Sequence, residues 1–244
     1  MSAQNNFSPA EIKPWYSYMG GSYHGPLPAF YDNEKWEWLT ETEKQFSIIR
    51  SEIEALLSSR NNSLEPYFNS SLTGGKGKWE VLNFYFWGKA EEKNCAACPQ
   101  LNQLLKKIPG LLTATVSRLS PHTEIHPHIG DTNMVARCHL GLIIPGTLPD
   151  CGIDVNNEQR SWEEGKWLLF CDAYTHSAWN RTDQPRFVLI VDVVLPEFAM
   201  QTKNISANVR SLLKLQKVIA KKPWIGKLPG PLLGVMRHFY KFTL

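Results

Sequence analysis

Two histidines and one arginine in the second half of the chain have the side-chain types needed to hold a metal ion beside a carboxylate. His128 lies in Pro-His-Ile-Gly just before a turn, His176 lies at the end of a later strand-like run, and Arg186 opens the next run. Neutral imidazoles bind divalent first-row metals well, and histidines on neighbouring strands can face one site. The planar guanidinium of arginine suits a carboxylate. These residues predict a metal site that also holds an acidic small molecule.

The residues after His128 decide how many protein ligands such a metal would have. Two histidines and one acidic residue on one face bind Fe(II) and leave positions open for a co-substrate and O₂. The acid often stands two residues after the first histidine, but Gly130 occupies that position here and Asp131 follows it. Because neighbouring strand residues point to opposite faces, we expect two protein ligands, with water in the vacant position. The alternatives are that a turn brings Asp131 to the metal, or that His128, His139 and His176 are hydrogen-bonded structural residues.

The surrounding pattern predicts short strands that must bring these side chains together. Between residues 111 and 197, β-prone runs recur between turn signals, as is typical of a sandwich or barrel. The run Phe187–Val191 is apolar on both faces, which predicts a central strand covered on both sides. We expect a mainly β fold with flanking helices, of the jelly-roll type. The predicted strands are 79–87, Leu112–Leu119, Arg137–Ile144, Gly152–Val155, Lys166–Cys171 and Arg186–Val194.

Helices are predicted on both sides of these strands. Residues 40–59 have apolar residues at helical spacing, and Thr40 with Glu43 forms a capping box at the start. A short helix is predicted at 99–108, where Pro-Gly follows, and another at 206–222. The chain is therefore expected to consist of an N-terminal arm and helix (1–78), a core (79–198) and a C-terminal extension (199–244).

Four separated motifs occur along the predicted core, in the order Pro127–Leu142 (PHIGDTNMVARCHLGL), Trp162–Trp167 (WEEGKW), His176–Trp179 (HSAW) and Arg186–Pro196 (RFVLIVDVVLP). Together they resemble the aspartyl/asparaginyl β-hydroxylases. The resemblance covers about residues 79–198 and implies an Fe(II)- and 2-oxoglutarate-dependent oxygenase with a double-stranded β-helix, a cupin-like jelly roll. That family also has a glycine where most related oxygenases place the acidic iron ligand, as this chain has Gly130, although Asp131 stands where the family usually has proline.

The resemblance implies roles for particular residues at one end of the co-substrate. His128 and His176 match the two iron ligands of the family, which makes them the catalytic and metal-binding pair. Arg186 matches the arginine that grips the distal carboxylate of 2-oxoglutarate. Ser117 matches a serine that helps to hold that carboxylate. A buried carboxylate needs such charge-assisted partners, and arginine serves better than lysine.

The other co-substrate contacts implied by the resemblance come from two more strands. Arg137 and His139 match a pair near the opposite end of 2-oxoglutarate, and because they are two residues apart a strand places them on one face. Trp87, in Tyr-Phe-Trp-Gly, matches a tryptophan that lines the same pocket. Contacts with the primary substrate are expected from the irregular segments 16–26 and 61–78.

Composition excludes several classes of protein. The 244 residues are 43% hydrophobic and 20% charged, which excludes an intrinsically disordered chain. No uninterrupted apolar run reaches the roughly 18 residues of a membrane span, and the first residues lack the pattern of a signal peptide, so we expect a cytoplasmic protein. Five cysteines, an odd number, do not suggest a disulfide framework. Cys138, Cys151 and Cys171 are interpreted as buried thiols, and Cys95 with Cys98 as a local Cys-Ala-Ala-Cys pair, with a redox or metal role of that pair as the alternative.

Charge is distributed unevenly along the chain. The formal net charge is +3, yet no acidic residue follows Glu197, whereas nine basic residues lie in 203–244. Apolar residues are interleaved with these cations, which favours peripheral contact with an anionic membrane surface over nucleic-acid binding. The alternative is a solvated basic helix that packs on the core.

The sequence therefore supports several candidate functions. The first is a hydroxylase that uses iron and 2-oxoglutarate on an Asp/Asn-like residue of a peptide, a free amino acid or another small molecule. A second is a lipid acyl-chain hydroxylase at a membrane surface, because the first predicted helix and the basic tail resemble bacterial lipid A hydroxylases. Halogenation at the vacant iron position is a third. The last is a non-catalytic jelly-roll binding module, in which Arg186 would form a buried ion pair.

Overall fold

The strands assemble into two antiparallel sheets that enclose a cavity. The computed structural model describes residues 12–61, 63–75 and 78–243; residues 1–11, 62 and 76–77 of the predicted arm and residue 244 of the predicted extension lie outside the described residues. The strands are β1 (Glu65–Pro66), β2 (Trp79–Phe86), β3 (Lys89–Ala90), β4 (Leu111–Leu119), β5 (Thr123–His128), β6 (Val135–Ile143), β7 (Cys151–Val155), β8 (Glu158–Arg160), β9 (Trp167–Phe170), β10 (His176–Asn180) and β11 (Arg186–Val194).

The order of the strands confirms the predicted fold class. The larger sheet has the order β1-β2-β4-β11-β6-β9, with β3 paired to β2, and the smaller sheet has the order β5-β10-β7-β8. From β4 onward the chain passes back and forth between the sheets, so that each sheet receives four of the last eight strands. This alternation of antiparallel strands is the double-stranded β-helix, or jelly roll.

The central position of β11 is the reason for its apolar sequence. The strand pairs with β4 on one side and with β6 on the other. Val188 and Leu189 are neighbours, so their side chains point to opposite faces, and both are fully buried. The prediction of a central strand covered on both faces is confirmed.

Helices precede, interrupt and follow the strands. Within the described part of the chain, no helix is both long enough and apolar enough to cross a membrane. Core residues Ile49 and Ile53 lie on the second helix, and Ile205 and Val209 lie on the fifth. The helices are α1 (Glu37–Lys44), α2 (Phe46–Ser59), α3 (Glu92–Ala97), α4 (Pro99–Leu105), α5 (Thr202–Lys221) and α6 (Gly230–Thr243).

The single helix predicted at 40–59 is wrong, because α1 ends at Lys44 and α2 begins at Phe46. The helix starts earlier, at Glu37, so Thr40 lies inside it and is not a cap. Glu43 is used elsewhere: its carboxylate accepts hydrogen bonds from the Trp167 backbone N–H and from Lys166. The capping-box interpretation fails because this carboxylate joins the helix to β9.

The Cys-Ala-Ala-Cys pair is structural. Cys95 and Cys98 are free thiols, and both are buried. Their Sγ atoms donate hydrogen bonds to the carbonyls of Phe84 and Glu52. Burial, together with the nearby charge of Glu52, raises the pKa of Cys98 to about 12. A thiol that resists ionisation is a poor nucleophile and a poor metal ligand, which favours the structural interpretation of this pair over the redox or metal alternative. Cys138, Cys151 and Cys171 are buried free thiols, as predicted.

Candidate active site

His128 and His176 meet at one edge of the smaller sheet. His128 ends β5, and His176 opens β10 rather than ending a strand as the sequence suggested. The two residues are direct partners in the antiparallel register, and their ring centroids lie 4.2 Å apart. His176 is buried, whereas His128 is half-buried. The structure thus brings the two predicted metal ligands together.

Backbone hydrogen bonds determine which ring nitrogens are available. Nδ1 of His128 lies 2.9 Å from the His126 carbonyl oxygen, and Nδ1 of His176 lies 2.9 Å from the Tyr174 carbonyl oxygen. A carbonyl can only accept, so each neutral ring carries its proton on Nδ1 and a lone pair on Nε2. Burial lowers the pKa of both imidazoles and keeps them neutral. Rings oriented in this way are typical of metal ligands.

Position 130 has no room for a side chain that could act as a third metal ligand. A Cβ at this position would come within 2.2 Å of the Asp172 carboxylate, and the Gly130 N–H donates to the Asp172 carbonyl at 2.6 Å. Asp131 does not complete the set either. Among the described residues, no group of three or more His, Cys, Asp or Glu side chains could hold a metal ion. The residues fit a metal with two protein ligands.

Arg186 is a buried cation without an acidic partner. Its exposed fraction is 2%, its Nε has no hydrogen-bond partner, and none of the ion pairs among the described residues includes it. Burial lowers its pKa to about 10, a sign that the charge is poorly compensated. Its guanidinium lies 4.7 Å from the Trp162 ring centroid. A buried guanidinium in this state is suited to an anionic ligand.

His139 supplies a second unused donor. Trp162 Nε1 donates to His139 Nδ1 at 3.2 Å, so the neutral ring carries its proton on Nε2. That Nε2 is buried and has no partner among the described residues. Burial, followed by the nearby charge of Arg186, holds the pKa of His139 well below its usual value. Trp162 was assigned no role by sequence reasoning. It orients the His139 ring through its hydrogen bond and stacks on the Arg186 guanidinium.

The cavity brings most of the predicted site residues together and leaves one of them outside. Trp87 is not among the residues that line it: this tryptophan is buried beyond the far end of β2, where its carbonyl accepts from Ser206. Trp79, at the opposite end of the same strand, lies in the cavity instead and donates to Ser117 Oγ at 3.0 Å. The lining consists of Trp79, Ser117, Ile125, His128, Arg137, His139, Trp162, Phe170, His176, Ala178, Arg186 and Ile190.

Arg137 lines the same cavity but is already paired. Its Nε and second terminal nitrogen donate to Asp192 at 2.8 and 3.1 Å, and its other terminal nitrogen lies 2.9 Å from Asp172 Oδ2. Burial raises the pKa of Asp172 to about 7, and Arg137 opposes that rise. As predicted, Arg137 and His139 share one face of β6. The two carboxylates hold Arg137 in place and compensate its charge, whereas Arg186 has no acidic partner among the described residues.

Aromatic side chains close the cavity toward the segment before β2. Tyr67 stacks on Trp79 with ring centroids 3.8 Å apart, and burial near Asp131 raises the pKa of Tyr67. The backbone N–H of Ser17 donates to the Asp131 carbonyl. Parts of both segments expected to contact substrate, 16–26 and 61–78, therefore lie next to the residues that flank the histidine pair.

The crowding at Gly130 gives a stability prediction. Gly130→Ala is expected to lower the free energy of unfolding by roughly 1–3 kcal/mol, because the new methyl group overlaps the Asp172 carboxylate. Urea unfolding measures this change. Gly234→Ala is the control, since a Cβ there meets nothing within 4 Å. In an Asp172→Ala background the loss caused by Gly130→Ala should shrink, and an equal loss in both backgrounds would contradict the explanation.

Comparison with known proteins identifies related sequences. The family model for aspartyl/asparaginyl β-hydroxylase matches residues 43–196. The ornithine lipid ester-linked acyl 2-hydroxylase of Rhizobium tropici is 40% identical over 174 residues, which are 69% of this chain and 61% of that protein. The human aspartyl/asparaginyl β-hydroxylase is 33% identical over 173 residues, which are 69% of this chain and 22% of that protein. The chain thus spans less than two thirds of each of these relatives.

Similarity to solved structures is weaker than similarity in sequence. The crystal structure of a Pseudomonas putida prolyl-4-hydroxylase aligns with a TM-score of 0.39 and 15% identity, covering 64% of this chain and 98% of that one. The family match, in contrast, spans the strands that carry both histidines and Arg186. The chain belongs to the aspartyl/asparaginyl β-hydroxylase family.

Proposed function

We propose that this protein is an Fe(II)- and 2-oxoglutarate-dependent dioxygenase that hydroxylates an unactivated C–H bond of an amphipathic lipid. The overall reaction converts substrate-H, O₂ and 2-oxoglutarate into substrate-OH, succinate and CO₂. One observation carries the proposal: two imidazole lone pairs converge beside a buried arginine that has no acid to pair with. A metal and a dicarboxylate together would satisfy both features.

The residues of the cavity have distinct tasks in this reaction. His128 and His176 would hold the iron, which when bound supplies the oxygen chemistry. Arg186 and the Ser117 hydroxyl are placed to hold the distal carboxylate of 2-oxoglutarate. The unused N–H of His139 is available to a further oxygen of the co-substrate. Phe170 packs between His139 and His176, with ring centroids 5.0 and 5.6 Å away, and helps to exclude water.

The alternative functions receive less support. A structural binding module would have Arg186 in a buried ion pair, yet among the described residues no carboxylate pairs with it. A halide beside Gly130 would lie next to the Asp172 carboxylate, which repels an anion whenever it is ionised. We therefore propose neither of these functions.

The substrate class rests on the relatives and on the entrance to the cavity. The Rhizobium relative, named for hydroxylating an acyl chain of ornithine lipid, is more similar to this chain than the human aspartyl/asparaginyl hydroxylase is. Exposed apolar side chains lie in the segments that flank the site, namely Tyr18, Met19 and Phe68. An apolar rim suits an acyl chain better than a free aspartate. An amino acid or peptide substrate is the alternative outcome of a substrate screen.

Loss of either histidine is expected to abolish turnover. His128→Ala and His176→Ala each remove one of the two proposed ligands, so Fe(II)-dependent succinate release should fall at least 100-fold. Anaerobic Fe(II) titration should show weaker binding in both variants. His122→Ala is the matched control, because His122 is exposed and pairs with Asp183, away from the lining of the cavity. Full turnover by either cavity variant would refute the proposed function.

Arg186→Met is expected to make the ligand-free protein more stable and to remove its binding of 2-oxoglutarate. Removal of a buried charge without a partner should raise the free energy of unfolding of the ligand-free protein, on the order of 1–3 kcal/mol. The same variant should lose the thermal stabilisation that 2-oxoglutarate confers on wild type. Arg181→Met is the control, because Arg181 is exposed and pairs with Glu124. A less stable Arg186→Met protein that still responds to 2-oxoglutarate would contradict the assignment.

A further inference from the structure

The last helix, α6, presents an apolar face to solvent. Leu232, Val235, Phe239 and Phe242 are 51%, 67%, 63% and 74% exposed. Their spacing of three, four and three residues places them along one side of the helix. His238 lies on the same exposed side, where its ring packs against Phe242. We call the four apolar residues the α6 stripe. Contiguous exposed apolar groups of this kind mark interaction sites.

The two cationic side chains of α6 are turned the opposite way. The Arg237 guanidinium lies 3.4 Å from the Tyr18 ring centroid, and Lys241 Nζ donates to Asn204 Oδ1 at 2.6 Å. A surface helix usually buries its apolar stripe and exposes its charges. Here the two cations contact the body of the protein while the stripe faces out. This inverted arrangement requires an apolar environment outside the protein.

The elements that precede α6 carry positive charge. No acidic residue lies beyond Glu197, so the last two helices and the turn between them carry only cations. Trp224, 61% exposed, lies in that turn. Aromatic residues and lysines next to an apolar face are typical of helices that lie in the headgroup region of a bilayer. The exposed lysines of these elements are Lys203, Lys214, Lys217, Lys221, Lys222 and Lys227.

Contacts connect α6 and α5 to the rim of the cavity. Tyr18, under Arg237, stacks on Tyr16, and the residue between them binds the Asp131 carbonyl. From α5, the ammonium of Lys217 lies 5.8 Å from the Phe68 ring centroid. Phe68 follows Tyr67, which stacks on Trp79 of the cavity wall. The surface that carries the stripe is therefore joined to both segments beside the candidate active site.

We propose that the α6 stripe, with Trp224 and the exposed lysines of α5 and of the turn before α6, docks the protein on an anionic lipid bilayer. Charge complementarity selects this occupant, because lysines near an anionic membrane surface are attracted to it. A second copy of the chain would bring the same positive charge to the contact and be repelled. Docking needs neither iron nor 2-oxoglutarate, so it goes beyond the proposed reaction and can fail independently of it.

Vesicle co-sedimentation tests the proposal. Wild type should bind vesicles of phosphatidylcholine with 30% phosphatidylglycerol and should bind pure phosphatidylcholine at least tenfold more weakly. Phe239→Ser/Phe242→Ser should lose at least tenfold in affinity for the anionic vesicles, and Lys221→Glu/Lys222→Glu should reduce binding and its salt dependence. Leu148→Ser is the control, since Leu148 is an exposed apolar residue between β6 and β7.

Three results would overturn the docking proposal: no binding of wild type to anionic vesicles, unchanged binding of the double phenylalanine variant, or self-association without lipid that this variant abolishes. The last would assign the stripe to a second copy. His128→Ala should bind vesicles like wild type. The phenylalanine variant should keep wild-type succinate release with a water-soluble substrate, which separates failure of docking from failure of the proposed function.

Discussion

Antiparallel pairing of β5 with β10 is the constraint on which the candidate site depends, because it sets His128 opposite His176. Side chains alternate along a strand, so a slip of one residue would turn His176 out of the cavity. Two sets of hydrogen bonds oppose such a slip. At one end of β10, the Asn180 amide donates to three backbone carbonyls around the start of β11 and the end of β4. At the other, the Gly130 N–H binds the Asp172 carbonyl.

Two arginines on the larger sheet, Arg137 half-buried and Arg186 buried, show how the same residue type serves structure and binding. Arg137 is held by Asp172 and Asp192, so its charge is compensated before any ligand arrives. Arg186 has a stacked indole and no acid, so its compensation must come from outside the chain. The difference in energy is large because desolvation of a charge is costly when no partner is present. A dicarboxylate that binds at Arg186 would therefore supply the opposite charge that this guanidinium lacks in the ligand-free protein, and this compensation would favour binding.

Sequence reasoning predicted the strands whose own residues are strongly β-prone. It missed the strands that form because they pair with a neighbouring strand. β4, β6 and β11 are long and rich in branched apolar residues, and all three were predicted. β5 (TEIHPH) and β10 (HSAWN) are short and polar; they are strands because they pair with each other, and no periodic pattern announces this. The proposed metal ligands His128 and His176 were found from residue type and spacing, with support from the motif resemblance. Trp162 and Asp172 were not, since their roles arise only from packing against His139 and Gly130.

The same limitation applies to α6, which sequence reasoning missed because Gly230, Pro231 and Gly234 weaken the helical pattern. Its inverted orientation is visible only once Arg237 and Lys241 are seen to contact the body of the protein. On a membrane, the proposed docking of α6 would fix the orientation of the protein, and the contacts from Arg237 through Tyr18 would pass that orientation to the cavity rim. Correct placement of the reacting bond is a large part of catalysis, so an enzyme that acts on a membrane lipid gains from joining its docking face to its active site through rigid contacts.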